Sequence, residues 1–88
     1  MNNDERVAEI ARRLTQALTP SYIDVEDESH LHAGHEGAKS GKGHFAVKIV
    51  SGKFEGLTPL ARHRLVYSSL GEMMDSDIHA LRITADAN

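Results

Sequence analysis

"HFAVKIVSGKFEGLTPLARHRLVYSS", His44 to Ser69, is the stretch whose reading decides the fold. Its first eight residues read as a strand over 44–51. Phe45, Val47 and Ile49 share one face, and Ala46 and Val50 soften the other, so both faces are expected to be partly covered. "SGKFEGLTP" then breaks the pattern with Gly52 and Gly56. Thr58 is placed to cap a helix, with Pro59 in its first turn, a position that needs no N–H. The helix is expected to run through "PLARHRLVYSSLGEMM", 59–74, with Leu60, Val66, Tyr67, Leu70, Met73 and Met74 on its apolar face. Asp75 and Asp77 then act as turn formers.

Working outward, "IHALRIT" reads as a strand over 78–84, with Ile78, Ala80 and Arg82 facing one way and His79, Leu81 and Ile83 the other. "ADAN" reads as a frayed end. A helix joining two strands is a crossover, which favours a parallel pair and a right-handed connection. Upstream, "SYIDVED" alternates polar and apolar residues and reads as a strand over 21–26, paired antiparallel with 44–51 across a long loop. "DERVAEIARRLTQAL" places Val7, Ile10, Ala11, Leu14 and Leu18 at helical spacing. That is a helix over 4–18, capped by Asn3 or Asp4 and stopped by Pro20.

The order is therefore α-β-β-α-β: an α+β domain over 1–88, with a three-stranded mixed sheet and helices on one face. Val7, Ile10, Leu14, Leu18, Phe45, Val47, Ile49, Val66, Leu70, Leu81 and Ile83 should form its core. An 88-residue chain has room for one modest core.

Composition narrows the function. The net charge of −3 gives no general attraction to phosphate backbones. Only Tyr22, Tyr67, Phe45 and Phe54 supply aromatic area, too little for a base-stacking platform. With no Cys there are no thiolate ligands, and a reducing compartment, the cytoplasm, is expected. The charged start "MNNDERVAEI" is unlike a signal peptide, and no apolar run approaches a membrane span. No nucleophile elbow, P-loop or dinucleotide fingerprint occurs, so intrinsic catalysis is not expected.

The loop over 27–43 carries "HLHAGHEGAKSGKG". At about 17 residues it is longer than compact domains usually tolerate without a functional reason. "HLHAGH" is one residue short of the H-x-H-x-D-H zinc motif of metallo-β-lactamases, with Gly34 in the aspartate's place, and 88 residues cannot build that sandwich. His30, His32 and His35 could converge on a zinc ion by themselves. A solvated loop that binds nothing is the plainer alternative.

His63, within "RHR", falls near the centre of the second helix's apolar face and reads as a packing residue. Arg62 and Arg64 flank it and, with Lys53, are candidate contacts for a partner or a nucleic acid. His79 opens the last strand. If that strand runs parallel to 44–51, its start lies where the long loop lands, so topology brings His79 towards the loop histidines.

Together, "VEDESHLHAGHEG", "HFAVKIVSGKFEGLTPLARHRLVYSSL" and "IHALRI" resemble the BolA family over nearly the whole chain, from Val25 to Ile83. The resemblance implies a fold similar to the class II KH domain. It also implies a heterodimer with a monothiol glutaredoxin, sharing a [2Fe–2S] cluster for which the glutaredoxin and glutathione supply sulfur. Carried over by motif, the ligands on this side are His79, from I-H-A-L, and His32 in the loop. His30 and His35 are extra loop histidines that leave the loop ligand open. Some relatives use a loop Cys, which this chain lacks. The isolated chain is expected to be a monomer without a cofactor. The alternative that the resemblance carries is a DNA-binding transcriptional regulator. "GKFEG" spaces its glycines one residue too far for a KH-type G-x-x-G loop.

Overall fold

The computed structural model describes residues 1–32 and 41–88. Helix α1 spans Asn3–Leu18. Its cap is Asn2 rather than Asn3 or Asp4. The Glu5 N–H donates to Asn2 Oδ1 (2.8 Å), and the Asn2 N–H donates back to Glu5 Oε1 (3.0 Å). This reciprocal capping box satisfies two amides at once, which neither alternative start offers. Asn3 is thereby left with its amide pointing towards other elements. Ile10, Leu14 and Leu18 are buried on one stripe, and Thr19, in the left-handed region (φ 41°), ends the helix before Pro20.

Strand β1 spans Tyr22–Asp27 and β2 spans Gly43–Val50, paired antiparallel with Ile23 opposite Ile49 and Val25 opposite Val47. Helix α2 spans Pro59–Leu70, with the Thr58 hydroxyl accepting from the Ala61 N–H (3.1 Å). The expected helix over 59–74 is interrupted. Gly71, at φ 58°, terminates α2, and a separate short helix α3 spans Met73–Ser76. A left-handed backbone is cheap only for residues such as glycine, which is why the helix breaks there. Strand β3 spans Ile78–Asp86 and pairs parallel with β2, giving the sheet order β1-β2-β3. The crossover reading is borne out. The end "ADAN" is not frayed as far as Asp86: Ala85 lies opposite Ile49, and the Ser51 N–H donates to the Asp86 carbonyl (3.0 Å).

The core is Ile10, Leu14, Leu18, Phe45, Val47, Ile49, Phe54, Val66, Leu70, Met73 and Ile78. Val7, Leu81 and Ile83, expected at its centre, pack half-buried at its margin. Leu60 (59% exposed) and Tyr67 (39%) leave the expected apolar face. At about 100° per residue, Leu60 lies about 120° round α2 from buried Val66, and Tyr67 about 100°. Val66 and Leu70, about 40° apart, are what the sheet and α1 cover. Two long-range clasps lock the layers: Arg13 donates to the Leu70 carbonyl (2.8 Å), and the buried Ser51 hydroxyl donates to the Leu18 carbonyl (2.6 Å). The helices share one face of the sheet. The other face carries Asp24, Glu26, Ala46, Lys48, Arg82 and Thr84 around a shallow recess.

Candidate functional site

The parallel pairing is regular from His44 onward, and it is irregular at its start. Gly43 lies opposite Ile78, but His44 lies opposite Ala80, so His79 is an extra residue in β3. Strict alternation would have put His79 on the same face as Leu81 and Ile83. The register shift reverses that. Ile78 turns into the core (2% exposed), Leu81 and Ile83 still pack against it, and His79 is left exposed. A one-residue bulge re-aims a side chain in this way without breaking the ladder beyond it.

His79 does not stand alone. Its ring meets the ring of His44 with centroids 4.9 Å apart and planes tilted by 46°. His44 is nearly buried (6% exposed), although it follows Gly43 at the very start of β2. Its backbone is fixed on both sides: its N–H donates to Ser29 Oγ (3.1 Å) and its carbonyl accepts from the Glu28 N–H (2.7 Å). A recess lined by Glu28, His44, Phe45, Ala80, Leu81 and Arg82 opens beside the pair. Arg82 holds Glu28 across it in a two-point ion pair (2.5 and 3.3 Å).

The frame around the histidines is built by the first turn of α1. Asn3 Nδ2 donates to Ser29 Oγ (3.1 Å), so one hydroxyl ties α1, the end of β1 and the start of β2 together. Arg6 donates to Asp77 Oδ1 (3.0 Å), to the Gly41 carbonyl (2.8 Å) and to Asn3 Oδ1 (3.0 Å). The Gly43 N–H donates to the Asp77 carbonyl (3.0 Å). A side chain at Gly43 would collide with the Phe45 ring, so glycine is required for this close approach. Hydrogen bonds from Ser76, then Arg6, hold the Asp77 carboxyl below its ordinary range. Burial pushes Asp27 up, but hydrogen bonds from the Ser29 hydroxyl and N–H and from Asn3 outweigh it, and Asp27 is also lowered.

Ser29–His32 form a 3₁₀ turn directly after β1, and His30 on it is exposed. The backbone of His32 belongs to that turn, and His35 lies outside the described residues. The structure therefore brings the start of the loop and its landing point next to the start of β3, as the topology required. His63 is half-buried and outside the core cluster, so it packs at the margin of α2 rather than at its centre. Arg62 donates to the carbonyls of Leu57 and Ala85 (3.0 Å each), clamping the end of β3. Arg64 and Lys53 are exposed. His44 and the Arg6–Asp77 clasp are what sequence reasoning did not single out as parts of the site. For His44 a signal existed: parallel pairing brings residue 44 beside the start of the last strand. Residues 6 and 77 carry no local signal.

A family model described as BolA-like protein matches residues 14–88. This chain belongs to the BolA family. It is 45% identical over 78 residues to BolA-like protein 1 of Bos taurus, covering 89% of this chain and 56% of that one. It is 42% identical over 85 residues to protein BOLA1, chloroplastic, of Arabidopsis thaliana, covering 93% and 53%. The chain thus spans about half the length of these curated relatives. Among solved structures, the BolA domain of SufE1 from Arabidopsis thaliana superposes with a TM-score of 0.83 at 40% identity, covering 93% of this chain and 91% of that one. The α+β architecture with a mixed three-stranded sheet is therefore that of a BolA domain. No helix among the described residues is long and apolar enough to cross a membrane.

Proposed function

We propose that this BolA-family chain is a non-catalytic partner of a monothiol glutaredoxin and lends histidine ligands to a shared [2Fe–2S] cluster. The observation that carries the reading is the register shift at Gly43/His44, which presents His79 outward on a strand beside both ends of the histidine loop. A fixed ligand on a strand and a second on the adjoining loop make half a coordination sphere.

The donor chemistry fits that half. Imidazole can replace thiolate at one iron of a [2Fe–2S] centre, as in Rieske-type sites. Among the described residues no group of three or more His, Cys, Asp or Glu side chains is placed to hold a metal ion. A set that a partner completes with sulfur is consistent with that. His79 and His32 would be the ligands from this chain, with His30 and His35 as substitutes in the loop. The cluster would supply redox and transfer chemistry; this chain supplies position, through β3 and the Arg6–Asp77 clasp. A cytoplasmic setting belongs to the same proposal, although the Arabidopsis relative is named chloroplastic.

The test is to mix the chain with a cluster-loaded monothiol glutaredoxin and glutathione and to follow the visible circular dichroism. Wild type should give a new heterodimer spectrum, and His79→Ala should abolish it. An unchanged spectrum in His79→Ala sinks the assignment.

DNA binding through a KH-like fold is the second reading, and the charges favour it less. The Arg62 guanidinium is engaged with two carbonyls, and Lys48 shares its recess with Asp24 and Glu26. A duplex titration at several salt concentrations separates specific binding from general attraction.

A further inference from the structure

The contact between His44 and His79 has a geometry of its own. Two imidazoles bound to one ion through nitrogens at ~2.0–2.1 Å have ring centroids about 4.5 Å apart at a right angle and about 5.2 Å apart at a tetrahedral angle. The observed separation is 4.9 Å, and the 46° tilt means that the rings do not stack face to face. The rings come from neighbouring strands, His79 from the bulge in β3 and His44 from the residue at which the regular parallel pairing begins. His79 opens to solvent and His44 forms the inner wall. Arg82, the cationic side chain that lines the adjoining recess, is paired with Glu28.

We infer that His44 and His79 form a two-imidazole site for a single zinc ion in the isolated chain, with water completing the coordination. Neutral imidazole is a preferred ligand of zinc, and zinc imposes little geometry of its own. This site goes beyond the proposed function: it uses His44, requires no partner, and takes one ion rather than a cluster. Where His79 also serves a cluster, zinc and the cluster-bearing partner compete for the same ring.

The test uses the full 88-residue chain and zinc chloride alone. Calorimetric titration is run together with ¹⁵N spectra of the histidine rings, which report each imidazole separately. One zinc per chain is expected, with the rings of His44 and His79 shifting together. His44→Phe and His79→Phe should each weaken binding at least about tenfold, since either removes half the protein ligands. The triple variant His30→Ala, His32→Ala, His35→Ala should bind as wild type does. Phe at 44 keeps a ring in the same space. Should that variant fail to fold, the wild-type ring spectra decide instead: no zinc-dependent shift at His44 overturns the proposal. So does unchanged affinity in His44→Phe, or loss of binding in the loop triple variant. No glutaredoxin takes part, so this outcome is independent of the cluster reading.

Discussion

Replacing Arg6 by Ala removes a side chain that holds the loop's return, the start of β3 and the first turn of α1 at once. Arg6 and Asp77 are 13% and 16% exposed, so their 3.0 Å ion pair is largely but not wholly desolvated. Breaking a fully buried pair by deleting one partner costs about 3–5 kcal/mol, whereas exposed pairs are worth under about 1. The remaining exposure places this pair between those limits. The loss of the bonds to the Gly41 carbonyl and Asn3 Oδ1 adds to it. We expect Arg6→Ala to cost about 2–3 kcal/mol in all. For a domain of this size that lowers the melting temperature by about 10–20 °C. Arg6→Lys keeps the charge but not the fork, so it should recover only part of the loss. Urea unfolding at neutral pH, followed by far-ultraviolet circular dichroism, measures the difference. A cycle with Asp77→Ala isolates the pair. A cost below about 0.5 kcal/mol would show that the clasp does not hold the site frame, and the reasoning fails.

Ser51→Ala should lose about 1–3 kcal/mol, because it orphans the Leu18 carbonyl and the Lys53 N–H around a fully buried hydroxyl; thermal melts test it. Gly43→Ala drives a methyl into the Phe45 ring and to 3.0 Å from Asn3 Oδ1, and should cost about 1–3 kcal/mol. Near wild-type stability there would show that the strand start yields freely. Acid should destabilise the fold through three carboxyls. Glu9 is lowered to about 2 by hydrogen bonds from Arg12 and then Arg13, and Asp27 and Asp77 are lowered as described. Groups depressed in the folded state stabilise it above their unfolded values and lose that contribution as pH falls through the folded ones. Unfolding free energy should therefore hold between about pH 7 and 5 and drop below about 4; a rise on acidification contradicts the sign.

The parts of the fold legible in the sequence are those set by periodicity and by connection geometry. Ile10, Leu14 and Leu18 at helical spacing marked α1, and the helix between Val50 and Ile78 implied the parallel pair. The placement of His79 near the loop followed from that topology alone. Its outward aim did not. Alternation along "IHALRIT" would send it inward, and the shift opposite Gly43 is set by how Ile78 packs into a core made of distant residues. Leu60 and Tyr67 lie off the buried face because hydrophobicity marks a face only where another element covers it. His44 was hidden by its place: as the first residue of the strand it marks only where the loop lands, and its role appears once β3 lies alongside.

Anchoring both ends of the loop has a consequence for what the loop can become. Ser29 and Gly41 are held by Asn3 and Arg6, side chains outside the segment between them. Between fixed posts the entropy of closing a chain rises slowly with its length, by about 0.6 kcal/mol for each doubling of a flexible loop. The posts themselves, Ser29 through Asn3 and Gly41 through Arg6, are tied to α1 and not to the length of the segment that joins them. The scaffold behaves as a socket with a replaceable cassette, and selection can tune the cassette without renegotiating the fold.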